Sequence, residues 1–265
     1  MKIIGIIPAR MASSRFPGKP LAKICGLEML GHVYLRSKMC LKLDEVYVAT
    51  CDQEIEAFIK SIGGKTVMTK SIHERASDRC AEALKKIEHG TGKKVDIVVM
   101  IQGDEPMILP NMIDQAIEPL IRDKSINVAN LMGPIESVEE LAHINEVKVV
   151  VDQNSYALYF SREPIPSVKK TTRKIPMFKQ VCVIPFRRDF LYEFNQLPST
   201  PLEQIESIDM LRVLENGQRV KMVKIDQKTY SVDTHEDLVC VEKEMSWDPL
   251  LKEYGTLITN AGANK

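Results

Sequence analysis

The feature that most constrains this chain is a repeated alternation of short β-branched runs with stretches of helical period. Apolar runs fall at Ile3–Ile7, Val46–Thr50, Thr66–Met68, Val95–Ile101, Val128–Leu131 and Lys148–Val151. Between them, amphipathic helical patterns cover about 28–40, 53–62, 77–88 and 111–123. Strands that alternate with helices are joined by crossovers, so the pattern predicts a mostly parallel central sheet with helices on its faces. Gly63-Gly64 closes the second helix, where glycine takes the left-handed C-cap conformation without steric cost. The fold class is α/β.

After residue 132 the rhythm changes. Val147–Val151 and Tyr156–Phe160 flank Asp152-Gln153-Asn154-Ser155, a turn-rich hairpin connection. Ser161–Met177 carries three prolines and several basic residues and reads as a long surface loop. Val181–Phe186 predicts a further strand and Leu202–Leu214 a helix; Lys221–Ile225 then leads to a last helix over about 235–246. There is no repeat and no low-complexity linker. The expectation is one domain over 1–248 with an inserted lobe at about 133–190, followed by a tail, 249–265, without clear period.

Charge and cysteine usage exclude some classes. Lys+Arg and Asp+Glu both total 36, and a chain of zero net charge is not expected to bind nucleic acid. Cys25, Cys40, Cys51, Cys80, Cys182 and Cys240 form no C-x-x-C pair, which suits reduced thiols in the cytoplasm. The apolar run before Arg10 is too short for a signal segment or a span, so no membrane partner is expected.

Three stretches carry chemistry. The loop Pro8–Pro20 follows the first strand and holds Arg10, Arg15 and Lys19, the hydroxyls of Ser13 and Ser14, and the Pro17-Gly18 turn. A solvated basic loop would have the same residues. Its position at a strand's carboxyl end favours phosphate binding by charge-assisted hydrogen bonds, although the Walker A spacing is absent. The second stretch is Gln102-Gly103-Asp104-Glu105-Pro106, after the most apolar strand. An acid there is costly unless paired or metal-bound, and hard oxygen ligands suit Mg²⁺. The third is Ser231–Leu238, where Thr234 and Asp237 form a capping-box-like helix start. Asp233 is left free, a second metal ligand if the fold brings it to Asp104.

Together these segments resemble the 3-deoxy-manno-octulosonate (KDO) cytidylyltransferases, also called CMP-KDO synthetases. The resemblance lies in Ile6–Leu21, Met68–Ala83, Val99–Ile108, Val147–Pro166, Pro201–Gly217 and Ser231–Leu238, in family order, and reaches about Glu244. It implies a nucleotide-diphospho-sugar transferase (Rossmann-like) fold, CTP and a sugar acid as substrates, Mg²⁺ as cofactor, and a homodimer formed through the inserted lobe. Arg10 and Lys19 match triphosphate ligands, with Ala9, Ser13 and Arg15 beside them. Arg79 and Gln102 match positions that face the nucleotide, and Asp104 and Asp233 match the magnesium pair. Arg10, Lys19, Asp104 and Asp233 are the expected catalytic set. Arg162 matches a basic residue near the sugar carboxylate, Glu203 and Glu206 lie on a helix over the sugar, and Gln180 falls in the sugar motif.

Two segments depart from the family. H-x-S-G-T-[DE]-R becomes His73-Glu74-Arg75-Ala76-Ser77-Asp78-Arg79, and R-H-x-G-x-Y-G-[YF] becomes Lys179-Gln180-Val181-Cys182-Val183-Ile184-Pro185-Phe186. The nucleotide half is kept and the sugar half is changed, which predicts that KDO itself is a poor acceptor or that the best acid differs from it at a hydroxyl. The expected activity is transfer of CMP from CTP to KDO or a KDO-like acid. The alternatives are the same chemistry on 8-amino-KDO or a nonulosonic acid, or an inactive nucleotide-binding relative.

Overall fold

Strand β1 (Ile3–Ala9) is the frame on which the first part of the chain is built. The structure, a computed structural model, describes residues 1–12, 16–167 and 175–262, with side chains as far as 255. After β1 come a 3-10 turn at Lys19–Leu21 and a small hairpin, β2 (Lys23–Ile24) and β3 (Leu27–Glu28). Helix α1 (Met29–Lys38) leads to β4 (Glu45–Thr50), α2 (Gln53–Ser61) to β5 (Thr66–Met68), and α3 (Ala76–Thr91) to β6 (Ile97–Ile101). These strands lie in the order β6-β1-β4-β5, all parallel. Every residue of β6 is buried, as expected of a strand covered on both faces.

Helix α4 (Pro110–Arg122) leads onward to β7 (Ala129–Pro134), α5 (Val138–Ala142), β8 (Lys148–Val151) and β9 (Ala157–Ser161). Then follow β10 (Phe178–Val181), β11 (Val183–Arg187), α6 (Arg188–Gln196), α7 (Pro201–Glu206), α8 (Met210–Glu215) and β12 (Lys221–Lys224). The second sheet has the order β12-β7-β10-β8-β9; β12 and β7 are parallel and the other pairs antiparallel. The chain closes with α9 (His235–Met245) and α10 (Pro249–Gly262). No helix among the described residues is long and apolar enough to cross a membrane.

The chain divides into two compact units, Met1–Asp114 with Thr229 onward, and Gln115–Lys228. The second unit contains the 133–190 stretch read as a lobe and extends past both its ends. Two sequence expectations are corrected within it. The single helix over Leu202–Leu214 is two helices, because Ser207 takes a left-handed conformation with φ 55 and stops α7. The strand over Val181–Phe186 is divided at Cys182 into β10 and β11.

The segment read as a tail without clear period forms helix α10 within the first unit. Leu251 packs against the buried cluster around Val232, and Tyr254 anchors the helix through a chain of polar contacts. Tyr254 is 1% exposed. Its hydroxyl accepts from Arg36 Nε at 3.1 Å and lies 2.7 Å from His32 Nδ1. His32 Nε2 meets the Ile24 carbonyl at 2.7 Å, and Arg36 Nη2 donates to Asp248 at 2.6 Å. A carbonyl only accepts, so Nε2 carries the ring proton and Nδ1 accepts from Tyr254.

This network predicts a pH dependence. Burial, with the Arg36 charge adding to it, pushes His32 down to about 4. An unfolded histidine titrates near ~6.5, so between these values the unfolded chain binds more protons than the folded one. Stability is full above the unfolded value and falls as pH drops toward the folded one. The loss from this residue is about 3 kcal/mol. Urea unfolding at intervals between pH 7 and pH 4 is expected to show a clearly shallower decline for His32→Gln than for the parent. Identical slopes would overturn this account.

Candidate active site

The carboxyl end of β1 opens into a loop tied down at both ends. Met11 N–H donates to Asp52 Oδ2 at 2.8 Å, and Asp52 is itself oriented by its N–H on Thr50 Oγ1 at 3.1 Å. Gly18, with φ 75, lets the chain turn back so that its N–H reaches the Met11 carbonyl at 3.1 Å. Lys19 N–H then donates to the Phe16 carbonyl, and Leu21 N–H to that of Gly18. The root of Lys19 is therefore fixed. A cavity of about 290 Å³ lies here, lined by Ala9, Arg10, Ala12, Lys19, Gln102, Asp104 and their neighbours. Ser13 and Arg15 lie outside the described residues.

The Lys19 ammonium makes three contacts. It donates to Asp104 Oδ2 at 3.1 Å, to Asp233 Oδ1 at 3.2 Å and to the Val232 carbonyl at 2.7 Å. The acids named from sequence thus meet on one cation, no farther apart than two of these contacts laid end to end. Backbone pairing explains how. Val232 N–H donates to the Asp104 carbonyl at 2.9 Å, lacing the segment before α9 to the loop after β6. Thr234 and Asp237 form the expected capping box, and the Asp237 carboxylate also takes the Asp233 N–H. Below them Val232, Leu238, Val241 and Met245 pack with Phe16, Ile24 and Met29, and the Phe16 ring lies 4.6 Å from that of His235.

Burial alone would lower the Lys19 ammonium, but Asp104 and Asp233 outweigh it and hold its pKa above the ordinary lysine value. A site that selects a cation in this way suits a metal. Among the described residues there is no cluster of three or more metal-ligating side chains. Two carboxylates are nevertheless the donor set Mg²⁺ takes in nucleotide sites, where phosphates and water complete the octahedron.

Arg79 is 2% exposed. Its Nη1 donates to Thr69 Oγ1 at 2.5 Å, while Nη2 is buried with no hydrogen-bond partner. With Ala9, Arg10, Glu74 and Arg75 it lines an adjoining cavity of about 200 Å³. A buried donor without an acceptor is costly, so this nitrogen is an open position for a ligand oxygen or ring nitrogen.

The remaining expected residues belong to the second unit. Arg162 Nε donates to the Glu206 carbonyl at 2.7 Å, Nη1 to that of Ile144 at 3.0 Å and Nη2 to that of Ser207 at 3.2 Å. The Glu206 carboxylate takes the Arg162 N–H, Ser161 and Tyr159. Burial alone raises Glu206, but these bonds hold it below the usual carboxylate range. Gln180 donates to Asn130 Oδ1 at 2.5 Å, and Ile184 is buried. Glu203 is buried against Arg212, with Arg212 Nε on Oε2 at 2.8 Å. The structure joins Arg162 to Glu206 and gives Gln180 and Glu203 separate partners.

The profile of the family described as "Cytidylyltransferase" matches residues 4–225. The chain belongs to the cytidylyltransferase family. Within that family it is 44% identical over 248 residues to a 3-deoxy-manno-octulosonate cytidylyltransferase of Geotalea uraniireducens, covering 90% of this chain and 96% of that one. It is 42% identical over 256 residues to the enzyme of the same name from Geobacter metallireducens, covering 93% and 98%. A solved structure of CMP:2-keto-3-deoxy-manno-octonic acid synthetase complexed with CTP is 38% identical, with a TM-score of 0.84 over 93% of this chain and 99% of that one. The α/β fold with its largely parallel sheet is that of this neighbour. The motifs above leave out Asp52, which ties down the loop after β1 through the Met11 N–H. Its signal was available: an acid two positions after a strand, at the start of α2, is placed to accept from a neighbouring loop.

Proposed function

We propose that this cytidylyltransferase transfers CMP from CTP to the anomeric hydroxyl of KDO and releases pyrophosphate. The observation that carries the reading is the Lys19 ammonium held between Asp104 and Asp233, beside Arg10, at the carboxyl end of a parallel sheet. The names of the relatives and the CTP-bound neighbour support both substrates. In the reaction the anomeric oxygen bonds to the α-phosphorus, the bond from that phosphorus to the β-phosphate bridge breaks, and the hydroxyl proton leaves to water. The protein contributes positioning and charge. Arg10 and Lys19 take charge that develops on the departing pyrophosphate, Arg79 Nη2 offers a donor to the base, and Gln102 borders the same cavity.

We propose Mg²⁺ as the cofactor, held by Asp104 and Asp233, where it would offset the charge of the phosphates. A guanidinium grip on the sugar carboxylate would need Arg162 to release carbonyls it now holds. A cytoplasmic location accords with six free cysteines. A homodimer accords with edge strand β9, on which Leu158 is exposed.

Pyrophosphate release tests the reading. With Mg²⁺ and KDO, release is expected from CTP and not from ATP or GTP. CTP with Mg²⁺ is also expected to raise the unfolding temperature more than either, because a ligand of the native state stabilises it by mass action. Release with 8-amino-KDO or a nonulosonic acid, but not with KDO, would move the acceptor and keep the chemistry. No release with any sugar acid would overturn the proposal.

A further inference from the structure

We infer that Lys19 is a displaceable occupant of the metal position, its ammonium joining Asp104 and Asp233 in the free enzyme and giving way only when a divalent cation and a triphosphate arrive together. The inference rests on the nucleotidyltransferase reading and adds to it an internal competitor for the metal.

Three features carry it. The first is saturation. An ammonium has three N–H donors, and here all three have acceptors: Asp104, Asp233 and the Val232 carbonyl. The group occupies a defined position rather than a solvated one; the Lys19 side chain is 13% exposed, and Asp104 and Asp233 are 25% and 16% exposed. The second is exclusion. A Mg²⁺ ion takes carboxylate oxygens at about 2.1 Å, and an ammonium hydrogen-bonded to the same two oxygens would share their space and repel its charge. The third is freedom of the stem. The Lys19 backbone is fixed by the Gly18 turn, but four methylenes separate it from the charge. The cavity lined by Arg10, Ala12 and Gln102 gives that charge somewhere to go when phosphate oxygens are present.

The consequence is a coupling. With no nucleotide, expelling Lys19 leaves its charge without acidic partners, so the bare enzyme holds metal weakly. A triphosphate offers the ammonium new acceptors, so nucleotide and metal strengthen each other's binding, and by linkage the effect is reciprocal. This order prevents the free enzyme from filling with metal before the nucleotide it serves has arrived.

The test is Mn²⁺ binding to the nucleotide-free enzyme, followed by the electron paramagnetic resonance signal of free Mn²⁺. The parent is expected to bind weakly. Lys19→Met is expected to bind about ten-fold tighter or more, because the competing charge is gone. Lys19→Gln should move the same way by less, and Lys19→Arg should stay near the parent. Adding Asp104→Asn to Lys19→Met should abolish the gain. Each variant is first shown to keep the cooperative thermal transition of the parent. If folded Lys19→Met and Lys19→Gln bind Mn²⁺ no better than the parent while Asp104→Asn abolishes binding, the exchange is overturned and the metal pair stands. If binding is indifferent to both Asp104→Asn and Asp233→Asn, the metal position fails and takes the inference with it.

Discussion

Replacing Asp104 with asparagine is expected to slow pyrophosphate release from CTP by about a thousand-fold or more, with Asp233→Asn giving a loss of the same order. Asparagine keeps the shape and one carbonyl oxygen but removes the charge, so the loss measures what the charge does. A divalent ion facing phosphates contributes several kcal/mol to the transition state, and each ~1.4 kcal/mol is a factor of ten in rate. The fold should survive. Both acids are partly exposed, and Val232 N–H holds the backbone carbonyl of Asp104 rather than its side chain. The check pairs single-turnover rates with thermal unfolding of the same preparations. A variant within ten-fold of the parent rate would remove that acid from the catalytic set.

The largest stability effect is expected at Glu203 and Arg212. They form a buried pair, 6% and 1% exposed, with Arg212 donating to both carboxylate oxygens. Removing one partner strands a charge in the interior, so Glu203→Gln or Arg212→Met should cost about 3–5 kcal/mol. The double variant should recover part of that loss, because no uncompensated charge remains. Denaturant midpoints measure the effect, and steady-state kinetics at low temperature separate it from function. The resemblance had set Glu203 over the sugar. If Glu203→Gln keeps the parent's stability and raises only the KM for KDO, that role is restored and the structural one withdrawn.

Much of the first unit was legible because its signals are local. The apolar run before Gln102 becomes β6, buried throughout, and the runs after Met1, Asp44 and Lys65 become the other parallel strands of its sheet. Lys19, Asp104 and Asp233 could be named individually, yet nothing in their spacing says that they meet. Lys19 and Asp233 are 214 positions apart. What was not legible depends on distant partners or on rare backbone states. The seat of helix α10 is one case, since its anchor Tyr254 is 222 positions from His32. The break at Ser207 comes from a left-handed non-glycine residue, which helix propensity does not foresee. The guanidinium of Arg162 looks free in the sequence and is spent on three carbonyls in the fold.

The return of the last segment to the first unit has a consequence for how the enzyme is made. By the time Lys228 leaves the ribosome, the emerging polypeptide has the loop after β1, Lys19 and Asp104, but neither Asp233 nor the Val232 carbonyl for the ammonium. Premature termination anywhere before Thr229 therefore yields a protein without Asp233, one of the two acids proposed to hold the metal, however well its sheets have formed. Termination between Asp248 and Tyr254 leaves both acids but removes the aromatic anchor that ties α10 to Arg36 and His32. Nonsense alleles of the corresponding gene should differ accordingly, with stops before Thr229 abolishing turnover and stops between Asp248 and Tyr254 lowering the thermal midpoint while leaving both acids in place.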